Sequence, residues 1–225
     1  LSAGKPTGAG YLIFLYLLPA VLLFAPLDLW GLGVIAGLGF NMWFGYLDDK
    51  SSLPWGELKK GLLDMGVALL TALCFCKAMP VEIWLPFFKE TLTIPLWFYL
   101  PAAAFLLWFT TNATNCSDGV DGLAGSLTLV SLLAMAAVLY GVVGYKPVAN
   151  YLLIPHHAEG ARWAILSTIV GGGLAGYLWY NAHPSAVLMG DAGSRMLGLM
   201  VGVTVLASGN PFMIFVVSPV VLVNG

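Results

Sequence analysis

Five aspartates stand out in a chain that carries only eleven acidic residues: Asp48 and Asp49, Asp118 and Asp121, and Asp191. They lie in Gly45-Tyr-Leu-Asp-Asp49, Asn112-Ala-Thr-Asn-Cys-Ser-Asp-Gly-Val-Asp-Gly122 and Met189-Gly-Asp-Ala-Gly-Ser194. Loop aspartates cap helices and close turns, but five converging from three loops repel one another unless a cation joins them. Hard carboxylate oxygens favour Mg²⁺ or Mn²⁺, and no His/Cys set has the spacing of a zinc site. The glycines admit a ligand close to the backbone, and amides such as Asn112 and Asn115 can read a sugar or a base. Ser194 is expected to cap a helix whose free N–H groups form an anion site, and Lys59 and Lys60 add positive charge nearby. Lysines, a helix N-terminus and a divalent cation together suit a pyrophosphate, the arrangement phosphoryl transfer needs.

The elements that must position these residues are apolar. Of 225 residues, 60% are hydrophobic and 9% charged, where a soluble domain carries about a quarter charged residues. The mean hydropathy is +0.90, which excludes a disordered chain, a collagen-like fibre and an ordinary cytosolic enzyme. Nine Lys/Arg against eleven Asp/Glu give no basic surface for nucleic acid. Cys74, Cys76 and Cys116 form neither a disulfide set nor a CxxC pair and read as small hydrophobes. The expected class is an all-α polytopic membrane protein in a single domain, residues 1–225, with both ends cut.

About eight transmembrane helices are expected, near residues 11–26, 29–47, 60–80, 95–111, 123–143, 161–180, 194–208 and 211–225. A tight turn at Pro26-Leu27-Asp28 separates the first two, and residues 81–94, with partial alternation and β-branched and aromatic side chains, read as a small interfacial β-hairpin. Counting spans places the amino-terminal segment and residues 48–59, 112–122 and 181–193 on one face. The hairpin, residues 144–160 with His156 and His157, and the turn at Ser208-Gly-Asn-Pro211 fall on the other. Lys and Arg divide five against four between the faces, too evenly to orient the protein by the positive-inside rule. All five aspartates fall on the first face.

The three acidic segments resemble, in order and spacing, the aspartate motifs of the polyprenyl-phosphate N-acetylhexosamine-1-phosphate transferases. Pro6-Thr-Gly-Ala-Gly10 resembles the glycine-rich entry to the second helix of those enzymes. Trp179-Tyr-Asn-Ala-His-Pro-Ser185 and Tyr151-Leu-Leu-Ile-Pro155 resemble the branch whose donor sugar carries a pentapeptide. The resemblance implies transfer of phospho-N-acetylmuramoyl-pentapeptide from a UDP-sugar to undecaprenyl phosphate, releasing UMP and leaving a lipid-linked peptidoglycan precursor. It implies Mg²⁺ as cofactor, a bacterial plasma-membrane location with the site on the cytoplasmic face, and a homodimer as a further expectation. Residue by residue, it implies Asp191 as metal ligand near Asp48 and Asp49, all three catalytic, one of the pair being a candidate base. Asn112, Asn115, Asp118, Asp121 and Leu188 would line the substrate cleft with Lys59 and Lys60. The chain departs from the pattern twice: it stops before the histidine-rich loop of that branch, and Leu188 stands where many relatives place an aromatic against uracil.

Two other readings remain open at this point. One is a transferase of UDP-N-acetylglucosamine or a related sugar with the same core chemistry. The other is a cation transporter, although transporter sites lie near the bilayer midplane and these acids lie at span ends.

Overall fold

The computed structural model describes residues 4–25, 27–53, 55–79, 81–85 and 91–224. Over these the chain is mostly helical. The long helices are α1 (Ala9–Phe24), α2 (Leu29–Lys50), α3 (Glu57–Ala78), α4 (Leu96–Cys116), α5 (Leu123–Val138), α7 (Gly160–Asn181) and α8 (Gly190–Ala207). Between α3 and α4 runs a two-stranded antiparallel sheet, β1 (Glu82–Ile83) and β2 (Leu92–Thr93), in which Glu82 pairs with Thr93 and Ile83 with Leu92. This is the expected hairpin; its connecting residues 86–90, like Pro26 in the first turn, lie outside the described residues. At that first turn Asp28 caps α2, its carboxylate accepting the Gly31 N–H at 2.8 Å, which satisfies one of the orphan donors of the first helical turn.

Helix α8 is the axis of the bundle. Every residue from Ala192 to Ala207 is buried, against α2 and α4 above all, with α3 filling the far side of those two, and α1, α5 and α7 closing the circle. The α4–α8 approach is set by Gly198, where a Cβ would come within 2.5 Å of the Thr110 carbonyl oxygen and 2.7 Å of the Thr111 Cα. Small residues permit such backbone contact between apolar helices, where packing supplies the attraction. The outer surface is apolar, with Leu22, Leu62, Trp97, Phe105 and Val130 all more than half exposed. Among the described residues, two helical segments, Glu57–Ala78 and Leu123–Val143, are long and apolar enough to cross a membrane.

Four expected boundaries shift, each for a local physical reason. The segment 211–225 is not one helix: a 3₁₀ turn (Pro211–Met213) leads into α9 (Ile214–Val217), the chain breaks at Ser218, and α10 (Pro219–Asn224) follows. Pro219 has no N–H for a continuous ladder. Helix α4 runs on through Cys116, so Asn112 and Asn115 stand on its last turns and only residues 117–122 form the turn beyond. The stretch 144–160 contains the short helix α6 (Lys146–Leu152), entered after a π-turn (Leu139–Val143) that ends α5. Helix α8 starts at Gly190, four residues before Ser194, so Ser194 is interior; its hydroxyl donates to Asn115 Oδ1 at 2.7 Å, with the Gly190 carbonyl 3.1 Å away as the alternative acceptor. Cys74 and Cys76 are partly buried and Cys116 is exposed.

The hairpin marks one end of the bundle. Trp84 donates its backbone N–H to Gly209 at 3.0 Å and its indole N–H to the Ser208 carbonyl at 2.7 Å, fastening the sheet to the C-terminal end of α8. The N-terminal end of the same helix carries Asp191, so the aspartates gather at the opposite end.

Candidate functional site

Asp48 and Asp49 end helix α2 and face different partners. Asp48 is buried; one oxygen accepts the Trp55 N–H at 2.8 Å and the other lies 2.6 Å from Lys60 Nζ. Burial pulls the Asp48 pKa upward, but the Lys60 ammonium and the Trp55 N–H outweigh it and hold it below the ordinary carboxylate value. Asp49 reaches across to α8, its two oxygens accepting the N–H groups of Asp191 at 3.0 Å and Ala192 at 3.1 Å. This is a helix N-cap supplied by another helix, and it satisfies donors that no local side chain reaches. Gly190 makes the approach possible: its φ is +71°, and a Cβ there would collide with the Asp49 carboxylate. Burial raises the Asp49 pKa despite the two N–H donors, with the Asp191 and Asp48 charges adding to the effect.

Asp191, in the first turn of α8, lies 3.2 Å from Lys60 Nζ through its Oδ2. Lys60 therefore holds Asp48 and Asp191 together. The same Asp191 oxygen lies 3.6 Å from Arg195 Nε, and Arg195 in turn donates from Nη1 to Asp64 Oδ1 at 3.2 Å. Burial raises the Asp191 pKa, so of the two carboxylates on Lys60, Asp48 is the readily ionised one.

Beside this cluster opens a cavity of about 890 Å³. Asn115 lines it from the end of α4, Asp118 and Asp121 from the α4–α5 turn, Lys5 and Thr7 from the amino-terminal segment, Asn181 from the end of α7, His183 and Leu188 from the α7–α8 connection, and Asp191 from α8. Asp118 makes no ion pair among the described residues, and burial, with the charges of Asp191 and Asp49, pushes its pKa up to about 7. Asp121 is the opposite case. It accepts the Ser185 hydroxyl at 2.7 Å and N–H at 3.2 Å, with Lys5 Nζ at 3.6 Å and His183 Nδ1 at 3.5 Å. Those hydrogen bonds from Ser185, with the Lys5 charge, hold its pKa below the ordinary value. Asn181 ties the walls together, accepting the Gly122 N–H and donating to the Val187 carbonyl, both at 2.9 Å. Leu188 is pinned by its backbone, donating to Pro6 at 2.9 Å and accepting from Ala9 at 3.3 Å.

Most of the expected residues thus meet at one end of the bundle; two stand apart. Lys59 Nζ sits 3.5 Å above the Trp55 ring, turned away from its neighbour Lys60. Asn112 donates to the Trp108 carbonyl one turn back on α4 at 2.8 Å and does not line the cavity. Sequence reading had no site role for Lys5, Thr7, Asn181, His183, Asp64 or Arg195. Among the described residues no three His, Cys, Asp or Glu side chains converge closely enough to hold a metal ion by themselves. Asp48 and Asp49, expected to share an ion with Asp191, are engaged by Lys60 and Trp55 and by the α8 amides.

Glycosyl transferase family 4 matches the chain over residues 31–209. The chain is also similar to proteins named phospho-N-acetylmuramoyl-pentapeptide-transferase. It is 46% identical to that of Treponema pallidum (strain Nichols) over 228 residues, covering 100% of this chain and 62% of the relative. The Desulfovibrio desulfuricans protein is 35% identical, with 89% and 58% covered, and the Bartonella quintana protein 31% identical, with 100% and 65% covered. The chain spans about three fifths of the length of these relatives.

Proposed function

The chain belongs to glycosyl transferase family 4, and from that premise we propose that it moves a phosphosugar from a UDP-sugar to a polyprenyl phosphate in a membrane. The names of its relatives favour phospho-N-acetylmuramoyl-pentapeptide as the group transferred, and the acceptor is taken as undecaprenyl phosphate from the resemblance of the aspartate motifs. The observation that carries the reading is the cavity in which Asp118, Asp191 and the cationic Lys5 meet beside the N-terminus of α8, with Lys60 on the far side of Asp191. The apolar outer surface supports a membrane-spanning bundle of the seven long helices and the broken last segment, and this end is assigned to the cytoplasm because UDP-sugars are made there.

The donor set fits Mg²⁺. That ion takes one or two carboxylates and completes its shell with substrate phosphate oxygens and water rather than requiring an all-protein cage. Asp191 would hold it, with Asp118 facing the same cavity. When bound it neutralises charge on the transferring phosphate. The chain's own residues do the rest. Lys60, a flexible ammonium 3.2 Å from Asp191, is placed to draw the donor's pyrophosphate toward the cluster. Leu188 offers an apolar wall to the uracil, and Asn115 an amide. An oxygen of the lipid phosphate attacks the sugar-linked phosphorus; the bond from that phosphorus to the bridging oxygen breaks, and UMP leaves. A phosphate monoester has its second pKa near 6, so the nucleophile is already largely ionised at neutral pH. Positioning and charge neutralisation therefore outweigh general-base catalysis by Asp48 or Asp49.

The test is a panel of radiolabelled UDP-sugars with undecaprenyl phosphate and Mg²⁺ in detergent micelles. UMP release with label entering the lipid phase is expected, with UDP-N-acetylmuramoyl-pentapeptide preferred. Preference for UDP-N-acetylglucosamine would reassign the donor. No UMP from any donor, with cation flux in proteoliposomes instead, would overturn the enzyme.

A further inference from the structure

Two charge pairs reach from α3 to α8, one turn apart on each helix. Lys60 and Asp64 are four residues apart on α3, Asp191 and Arg195 four apart on α8, so each pair lies along one stripe of its helix. The signs run in opposite order, which makes a ladder of two rungs: Lys60 to Asp191 at 3.2 Å and Arg195 to Asp64 at 3.2 Å. The outer rung reaches the cavity through Asp191, its Lys60 and Asp191 side chains 14% and 24% exposed, whereas both members of the inner rung are 1% exposed. Arg195 Nε lies 3.6 Å from Asp191 Oδ2, too far for a hydrogen bond but close enough for a strong charge interaction in a dry interior. Neither Arg195 Nε nor Asp64 Oδ2 has a hydrogen-bond partner among the described residues.

Stability does not account for the inner rung. Replacing a buried ion pair by apolar side chains of similar volume is often neutral or stabilising, because the pair is costly to dehydrate. We infer that the Asp64–Arg195 rung is a positioning device: it keeps the Asp191 carboxylate aimed at the cavity while Lys60 turns to the donor's pyrophosphate. The inference rests on the phosphotransfer reading above. Lys60 is one flexible ammonium shared by Asp48 and Asp191, whereas the Arg195 guanidinium is fixed by burial and by Asp64. Without Arg195, Lys60 is the remaining cation at Asp191 among the described residues. Its ammonium is then drawn onto that carboxylate and away from an incoming phosphate.

Two variants test this, with two readouts. Asp64→Leu/Arg195→Met removes the rung without stranding a charge; Asp64→Asn keeps the shape and frees Arg195 to close onto Asp191. In both, kcat falls about 10–100-fold, the size typical of losing a partner that orients a ligating carboxylate, while the donor KM moves far less. The second readout is pulsed acetylation of Lys60 with acetic anhydride, read by mass spectrometry against Lys59 in the same protein. Lys60 reacts more slowly than in the wild type in the double variant, and faster in Asp64→Asn. Wild-type kcat in either folded variant, or Lys60 reactivity moving the same way in both, overturns the inference. If the double variant does not fold, Asp64→Asn alone decides. If the wild-type protein releases no UMP, the phosphotransfer reading fails, while Lys60 acetylation still judges the ladder.

Discussion

Asp49 on α2 and Asp191 on α8 are joined by main chain rather than by charge: the Asp191 N–H donates to Asp49 Oδ1 at 3.0 Å, and the next N–H, of Ala192, donates to Oδ2 at 3.1 Å. The consecutive aspartates of the first motif therefore divide the labour. Asp48 meets the Asp191 side chain through Lys60, and Asp49 fixes the Asp191 backbone.

Asp49→Ala is expected to lower stability by about 1–2 kcal/mol, the worth of a helix cap, and to abolish turnover because Asp191 loses its seat. Gly190→Ala is expected to do the same from the other side, since its φ of +71° and the Asp49 carboxylate both oppose a Cβ. Thermal unfolding in detergent alongside the UMP assay checks both; a fully active Gly190→Ala protein would contradict the capping geometry.

Asp191→Asn is expected to remove activity more severely than Asp118→Asn. Asp191 touches both Lys60 and Arg195, and losing a carboxylate that holds a catalytic metal costs several kcal/mol of transition-state stabilisation. Mg²⁺ titrations of initial rate decide it: an unchanged Mg²⁺ response in Asp191→Asn removes that residue from the ion.

Asp118 predicts a pH dependence. Its folded pKa is raised to about 7 against an unfolded value near 4, so between those pH values the native state binds the extra proton. Without metal, stability therefore falls as pH rises from about 4 to about 7 and then levels. A cation that replaces the proton binds more tightly as pH rises. The rise in melting temperature on adding Mg²⁺ is expected to be larger at pH 8 than at pH 6, and Asp118→Asn is expected to flatten the difference.

Leu188→Phe is expected to tighten UMP binding. The backbone is held between Pro6 and Ala9 and the side chain lines the cavity, so an aromatic ring there can stack on uracil. Base–aromatic stacking contributes about 1–3 kcal/mol in single-strand binding proteins, an upper guide here. Calorimetric titration of both proteins with UMP decides; equal affinities would place the base elsewhere.

Cys116 reports sidedness. It is exposed at the end of α4, at the acidic end of the bundle. An impermeant thiol reagent is expected to label it in inverted membrane vesicles and not from outside intact cells. The reverse pattern would invert the topology.

The acidic end of the bundle was legible because carboxylates are conspicuous in an apolar chain, and glycines beside them mark close approach. What sequence reading missed is what crosses between helices. Ser194 looked like a cap because it is the right residue type before an apolar run; the actual cap, Asp49, comes from more than a hundred residues away. Lys59 and Lys60 looked equivalent, yet neighbours on a helix point about 100° apart, and only Lys60 faces Asp191. Asp64 and Arg195 belong to no motif and had no role in the sequence reading. Their signal was present all the same: an acid four residues after a lysine in α3, and an arginine four residues after an acid in α8. Pro219 likewise announced the break in the last helical segment.

The complete enclosure of α8 bears on how the protein is made. From Ala192 onward this helix presents no face to the surroundings, and it is not one of the two helical segments among the described residues that are long and apolar enough to cross a membrane by themselves. A segment carrying Asp191 and Arg195 partitions poorly into lipid on its own, but its partners α2, α3 and α4 all precede it in the chain. During synthesis the groove that receives α8, Asp64 included, is therefore already laid down when α8 emerges. On the membrane reading proposed above, residence of α8 in the bilayer is conferred by earlier helices, and a lesion in that groove would lower the yield of inserted protein alongside any change in the chemistry of the molecules that do insert.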